Sequence, residues 1–282
     1  MSELELIADL AMGGFSKSEQ NILMSVLCRA ADAARVVTLA YFRQPDLGTE
    51  NKAATGYDPV TIADRKAELA IREILQDLRP HDGILGEEYG EVTGSSGLTW
   101  VLDPIDGTRG FVAGAPTWGT LISLRNADGP VLGLIDQPYI GERFIGGFGV
   151  SQLQRGSTRT PLAVRPAATL ADATLASTMP EIGTPVERAA FNSLSQQVRL
   201  TRFGMDCYAY ALVAAGTVDL VVEAGLNPYD IQAPIAVVQA AGGIVSDWQG
   251  NPVHDGGRVI AAASAALHDA ALEILSQADL PG

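Results

Sequence analysis

Trp100-Val101-Leu102-Asp103-Pro104-Ile105-Asp106-Gly107-Thr108 decides how this chain reads. Val and Leu beside Trp suit a pleated, covered surface, so the run predicts a short buried strand. Pro104 cannot donate to a sheet ladder, and the strand is expected to stop where the acids begin. Asp103 and Asp106 then converge on one point, with the Gly107 and Thr108 amides left for a ligand. Two hard carboxylates beside N–H groups suit a divalent cation holding a phosphate. The competing reading is an Asp-Gly turn joining two strands.

Outward from that centre, the chain alternates elements that end in acids. Upstream, apolar positions at helical spacing from Ser16 to Phe42 predict an amphipathic helix, preceded by a shorter one. A polar stretch from Gln44 to Tyr57 carries one cation, Lys52, which reads as a solvated loop residue on its own. Thr61 reads as the N-cap of a helix to about Leu78, placing Asp64 in its first turn, where a carboxylate also complements the helix dipole. Ile84-Leu85-Gly86 predicts a strand ending at Glu87-Glu88. Side chains alternate along an extended strand, so at most one of that pair is expected to face a shared metal.

Downstream, Thr120–Arg125, Pro130–Gln137 and Arg143–Gly147 predict successive antiparallel strands, and residues 151 to 166 a further hairpin or the crossover between halves. From Ala173 onward strands and helices alternate, the signature of a layered α/β half. There Glu223 ends a Val/Leu-rich strand, Asp230 stands as an N-cap for the next helix, and Asp206 precedes another helix as a second candidate cap. One glycine of Ala241-Gly242-Gly243 is accounted for as a helix C-cap.

With 282 residues the chain makes one large α/β unit or two fused halves. Residues 1–150 are assigned to an N-terminal α+β half with an antiparallel sheet, and 151–282 to a C-terminal α/β half. A formal net charge of -14 and no basic stripe exclude nucleic acid as a partner. The same charge repels an anionic substrate unless cations intervene, so any phosphate site here requires bound metal. Cys28 and Cys207 sit in apolar stretches and are expected to be reduced core residues. The acidic N-terminus and the lack of long apolar runs predict a soluble, cytoplasmic protein with no membrane partner.

Asp64, Glu87, Asp103, Asp106 and Asp230 each fall at a strand end or helix start, where ligands bind in layered folds. Oxygen-only donors favour Mg2+ or Mn2+ over zinc. With Asp58-Pro59-Val60-Thr61-Ile62-Ala63-Asp64, Gly86-Glu87-Glu88, Asp103-Pro104-Ile105-Asp106-Gly107-Thr108 and Tyr229-Asp230 followed by Ala241-Gly242-Gly243, the chain resembles the inositol monophosphatase superfamily of Mg2+-dependent, lithium-sensitive phosphomonoesterases. The resemblance covers nearly the whole chain.

It implies a layered α-β-α-β-α sandwich of the sugar-phosphatase type, mixing α+β and α/β character, assembled as a homodimer. It also implies that Glu87, Asp103 and the Ile105 carbonyl hold one metal, and Asp103, Asp106 and Asp230 a second. A third, weaker metal near Glu87 is common in the family. Asp64 and Thr108 match the pair that activates water, the Gly107 and Thr108 amides the phosphate cradle, and Lys52 a lysine near the site.

Arg109-Gly110-Phe111, Phe203 to Tyr210 and Val221 to Asp230 look most like the histidinol-phosphate phosphatase branch, with Tyr229 where inositol-specific members carry Trp. Asp206 and Glu223 would meet the cationic end of that substrate. The alternatives are an inositol or broad-specificity sugar monophosphatase and, in another class, a catalytically silent metal- or phosphate-binding protein.

Overall fold

A computed structural model describes residues 14–51, 59–166 and 169–279. The expected short leading helix, Lys52 and Asp58 lie outside the described residues. In chain order the elements are α1 (Lys17–Tyr41), β1 (Glu50–Asn51), β2 (Pro59–Val60), α2 (Ile62–Leu78), β3 (Gly83–Gly86), β4 (Gly90–Val92), β5 (Thr99–Asp106) and α3 (Thr108–Ala113). Next come β6 (Gly119–Asn126), β7 (Gly129–Gln137), β8 (Glu142–Gly147), β9 (Val150–Arg155), β10 (Thr158–Pro161), β11 (Thr174–Ser177), α4 (Pro185–Ser195), β12 (Leu200–Phe203) and α5 (Asp206–Ala214). The chain closes with β13 (Leu220–Leu226), α6 (Pro228–Ala240), β14 (Ile244–Ser246), β15 (Gly257–Ala262) and α7 (Ala265–Leu275). No described helix is long and apolar enough to cross a membrane.

Two large sheets follow from this order. One has eight strands, ordered β10-β9-β8-β7-β6-β5-β3-β4, antiparallel except where β3 runs parallel to β5. The other has five, ordered β12-β11-β13-β15-β14, with β11 parallel to both neighbours. Side chains alternate faces along each strand, and the cores show it. Ile122, Leu134 and Ile145 face α1 and α2 with Leu23, Leu27 and Ile71. Their sequence neighbours Leu121, Ile135 and Phe144 face Tyr210, Ile231 and Val237 of α5 and α6 on the opposite side.

Val221 and Ala261 of the second sheet close that middle layer, while Leu220, Val222 and Ile260 turn outward to Phe191 of α4 and Leu267 of α7. The result is five layers, helix-sheet-helix-sheet-helix, as the resemblance implied.

Several local expectations are corrected. Strand β5 does not stop at Pro104 but runs to Asp106. The register against β6 shifts between Asp103, opposite Leu121, and Asp106, opposite Gly119. That irregularity takes Pro104 out of the ladder, so its missing N–H costs no strand pairing. Its carbonyl accepts from Thr120 Oγ1 at 2.8 Å. Gly107, at φ 81, leads into the short helix α3 rather than a strand-joining turn, and Gly114, at φ 74, ends it.

Glu87 and Glu88 lie in the turn between β3 and β4, not on an extended strand. Neither Asp230 nor Asp206 is an N-cap. Asn227 caps α6 and Met205 precedes α5, so Asp230 is the third residue of its helix and Asp206 the first.

Helix α6 presses directly on the eight-stranded sheet because two strand positions lack a side chain. A Cβ on Gly133 would lie 2.6 Å from the Ala233 carbonyl oxygen, and one on Gly146 2.4 Å from that of Ala236. This close approach sets where the first turn of α6, with Asp230, meets the end of β5. Gly146→Val should push backbone against backbone and lower unfolding free energy by about 1–3 kcal/mol. Urea denaturation measures it, and a loss below about 0.5 kcal/mol would contradict this packing.

Candidate active site

Strand β5 delivers Asp103 and Asp106, the β3–β4 turn delivers Glu87, and Asp64 and Asp230 come from helix starts. Thr61 caps α2, accepting from Ala63 N at 3.1 Å, and Asp64 reaches back to Thr61 N at 2.9 Å. This is a capping box with Asp at its third position. The Thr61 hydroxyl also donates to Asp64 Oδ2 at 2.5 Å, while Asp64 Oδ1 lies 3.2 Å from Thr108 Oγ1. The carboxylate is therefore shared, one oxygen stabilising the helix and the other facing the site. Asp64 thus sits in the first turn of its helix as read, with Oδ1 left at Thr108.

Asp230 repeats the device at α6, where Asn227 N donates to its Oδ2 at 2.6 Å. Asp106 Oδ2 accepts from Cys207 N at 2.6 Å in the first turn of α5. Asp103 Oδ1 accepts from Ile105 N at 3.0 Å, a contact that the irregular end of β5 allows. Thr108 Oγ1 also lies 3.0 Å from the Ile105 carbonyl oxygen, so its proton serves either that oxygen or Asp64.

One oxygen each of Asp103, Asp106 and Asp230 lies within 4.8 Å of the others. Glu87, on the β3–β4 turn, stands within hydrogen-bond reach of Asp103, a bond made when one of the two carboxyls holds a proton. Loss of hydration, followed by Glu87 and then Asp106, pushes the Asp103 carboxyl well above the usual carboxylate range. Loss of hydration and the Asp206 and Asp230 charges do the same to Asp106, against the opposing Cys207 N–H. Burial raises Asp64 as well, with the Thr61 and Thr108 bonds opposing it.

Carboxylates in this state either hold protons or share cations. An all-oxygen donor set fits a hard divalent cation, and the neighbouring Cys207 thiol, pushed up by burial, stays protonated and outside that set.

A cleft of about 210 Å3 opens over these groups, lined by Glu87, Asp103, Ile105, Asp106, Gly107, Thr108 and Asp230. Of the sequence-predicted acids, Glu87, Asp103, Asp106, Asp206 and Asp230 line it, Glu223 lies beyond it, and Asp64 adjoins it through Thr108. A second cavity of about 260 Å3 continues from Asp106 and Asp230 to Asp206 and Glu223. Buried Glu223 accepts from Thr178 Oγ1 at 2.5 Å and Tyr210 Oη at 3.0 Å. Burial pushes its carboxyl up to about 7, with those two hydroxyls opposing.

Asp206 has φ 45, a left-handed backbone rare for a residue with a side chain. Its carboxylate lies over Gly107, where a Cβ would come within 2.7 Å of Oδ2, and burial raises it to about 6 against the Arg109 charge. Sequence reasoning assigned no role to Thr178, Tyr210 or the rim cation Arg109. Thr178 directly follows strand β11, so the rule that ligands gather at strand carboxyl ends was the available signal.

Known proteins match this arrangement along almost its whole length. A bifunctional phosphatase, IMPL2, from Arabidopsis thaliana is 39% identical over 257 residues, covering 87% of this chain and 72% of its own. A histidinol-phosphatase from Streptomyces coelicolor is 37% identical, covering 90% and 96%. Among solved structures, an inositol monophosphatase from Zymomonas mobilis superposes with a TM-score of 0.80 at 38% identity, covering 93% of this chain and 100% of that one. The sequence profile of the inositol monophosphatase family spans residues 19–280, and the chain belongs to that family of phosphatases.

Proposed function

We propose that this phosphatase is an Mg2+-dependent phosphomonoesterase whose substrate is L-histidinol phosphate. The observation that carries the substrate is the second cavity: it joins the acid cluster to two further carboxylates, Asp206 and Glu223, with the single cation Arg109 at its rim among the described lining residues. A neutral polyol gains little from two extra carboxylates, whereas a leaving group with an ammonium and an imidazole gains charge pairing in a partly dehydrated site. The histidinol-phosphatase name of a relative at 37% identity supports the same choice.

Glu87, Asp103 and the Ile105 carbonyl would hold one cation, and Asp103, Asp106 and Asp230 a second, with Mn2+ able to replace Mg2+. Such cations supply positive charge against the phosphate and make a nearby water more acidic. Thr108 then orients the attacking water, and Asp64, held by its cap, accepts its proton through the Thr108 hydroxyl. The Gly107 and Thr108 amides face the phosphate oxygens at the start of α3. Asp206 and Glu223 hold the leaving group in line. Water attacks phosphorus directly, so no phosphoenzyme forms. The proposal includes a cytoplasmic homodimer.

Phosphate release with Mg2+ from L-histidinol phosphate and inositol 1-phosphate, measured side by side, tests the reading. A preference of about a hundredfold in kcat/KM corresponds to about 2.7 kcal/mol of differential transition-state binding. Equal or inverted rates would move the protein to the broad-specificity phosphatases or to the inositol monophosphatases, the name the Zymomonas mobilis structure carries.

A pH series isolates Glu223. With its carboxyl at about 7, the group is charged above neutrality and neutral below it. The KM penalty of Glu223→Gln for histidinol phosphate should be greatest near pH about 8 and fade by pH about 6, where both proteins carry a neutral side chain. A penalty constant across that range would remove Glu223 from substrate binding.

A further inference from the structure

Outside the acid cluster, one buried ion pair ties together two of the elements that build it. Glu68 stands one turn beyond Asp64 on the same face of α2 and is fully buried. Its carboxylate points into the turn that carries Glu87. Oε2 accepts from Glu88 N at 2.7 Å, and Oε1 accepts from Tyr89 N at 3.2 Å and Arg72 Nε at 2.8 Å. Arg72 in turn donates through Nη2 to the Gly90 carbonyl at 2.5 Å. Gly86 makes room for the carboxylate: a Cβ there would lie 2.0 Å from Glu68 Oε1. From the opposite side, Glu87 N donates to the Leu102 carbonyl at 3.2 Å, one residue before Asp103.

A tight hairpin turn needs no buried charge, and removing a carboxylate from water costs several kcal/mol unless partners replace the hydration. Here a guanidinium and two amides replace it. Because Arg72 balances Glu68, the pair adds no net negative charge beside the cluster. What it adds is geometry. One rigid helix presents Asp64 on its first turn and, four residues on, the group that grips the backbone immediately after Glu87.

We propose that Glu68 is a positioning residue, fixing the Glu87 turn against helix α2 and so setting the affinity of the Glu87–Asp103 side of the cleft for a divalent cation. This rests on the metal-dependent reading above. Outer partners that orient metal ligands typically change metal affinity by about tenfold to a hundredfold.

The test is Mn2+ binding to metal-free protein, followed by calorimetry and by the electron paramagnetic resonance of unbound Mn2+, for wild type and Glu68→Gln. Gln keeps the volume but sets an NH2 group against a donor. A loss of about tenfold or more at one class of sites, with kcat restored at saturating Mg2+ and substrate KM unchanged there, is expected. A purely structural role would lower the melting temperature and leave Mn2+ affinity of the folded protein as in wild type; that result overturns the proposal. Should Glu68→Gln fail to fold, Arg72→Lys keeps the charge and loosens the grip on Gly90, and the same loss of Mn2+ affinity is required of it. Wild-type protein that bound no Mn2+ would remove the metal-dependent phosphatase reading, and this inference with it. Wild-type binding with unaltered variants removes this inference alone.

Discussion

Carboxylates that repel one another in a partly buried cleft are the constraint on which the rest of this molecule depends. Asp103, Asp106 and Asp230 approach within 4.8 Å through one oxygen each, with Glu87 within hydrogen-bond reach of Asp103 beside them. Left alone, such groups move apart or take up protons. The fold denies them the first option by anchoring each on backbone. Asp103 is tied to Ile105 N, Asp106 to Cys207 N and Asp230 to Asn227 N. Asp64 and Asp230 also complete the capping boxes of their helices, so the bonds that start α2 and α6 are the bonds that aim the acids. A substitution at either position therefore touches helix stability and the site together, as does one at Asp106, which takes an N–H of the first turn of α5, whereas Asp103 bonds within its own strand end.

The layers serve the same end. The eight-stranded sheet and the five-stranded sheet sandwich α5 and α6, which places the N-terminal turns of both helices at the end of β5. Gly133 and Gly146 let α6 lie against strand backbone without intervening side chains. Strand register also breaks at the polar residues in both sheets, between Asp103 and Asp106 on β5 and between Glu223 and Leu226 on β13. Where pairing lapses, backbone groups and acids turn into the cleft instead of into the ladder. Regular structure thus extends up to the site and becomes irregular within it.

Much of this was legible in residue order. Helix α2 begins after Thr61 and ends at Leu78 as read, and the strands beyond Thr108 lie within a few residues of their expected bounds. Burial periodicity and cap chemistry are local signals, and they suffice there. The misreadings share a different cause. Whether Pro104 interrupts β5 depends on where β6 pairs, which is a long-range fact. Helix α3 has six residues, too few to show a period. Asp230 has a cap's residue type, but Asn227, three residues earlier, is the cap and Asp230 closes its box, a choice that cap preference alone does not make. Glu68 was invisible for another reason: with Arg72 four residues on, it has the spacing of an ordinary surface pair, and only the folding of residues 87–90 over it makes it a buried clamp.

Without cations the acid cluster is strained, and a bound divalent cation would relieve it. Burial and mutual repulsion raise Asp103 above the usual carboxylate range, so the group weakens the metal-free fold at neutral pH relative to the unfolded chain. Thermal melts of wild type and Asp103→Asn, each with chelator and with Mg2+, test this directly. Metal-free Asp103→Asn is expected to melt at or above metal-free wild type, and Mg2+ to raise wild type by far more than the variant, a gain of about 2.7 kcal/mol when Mg2+ exceeds its dissociation constant a hundredfold. A metal-free variant less stable than wild type, with an undiminished response to Mg2+, would contradict it.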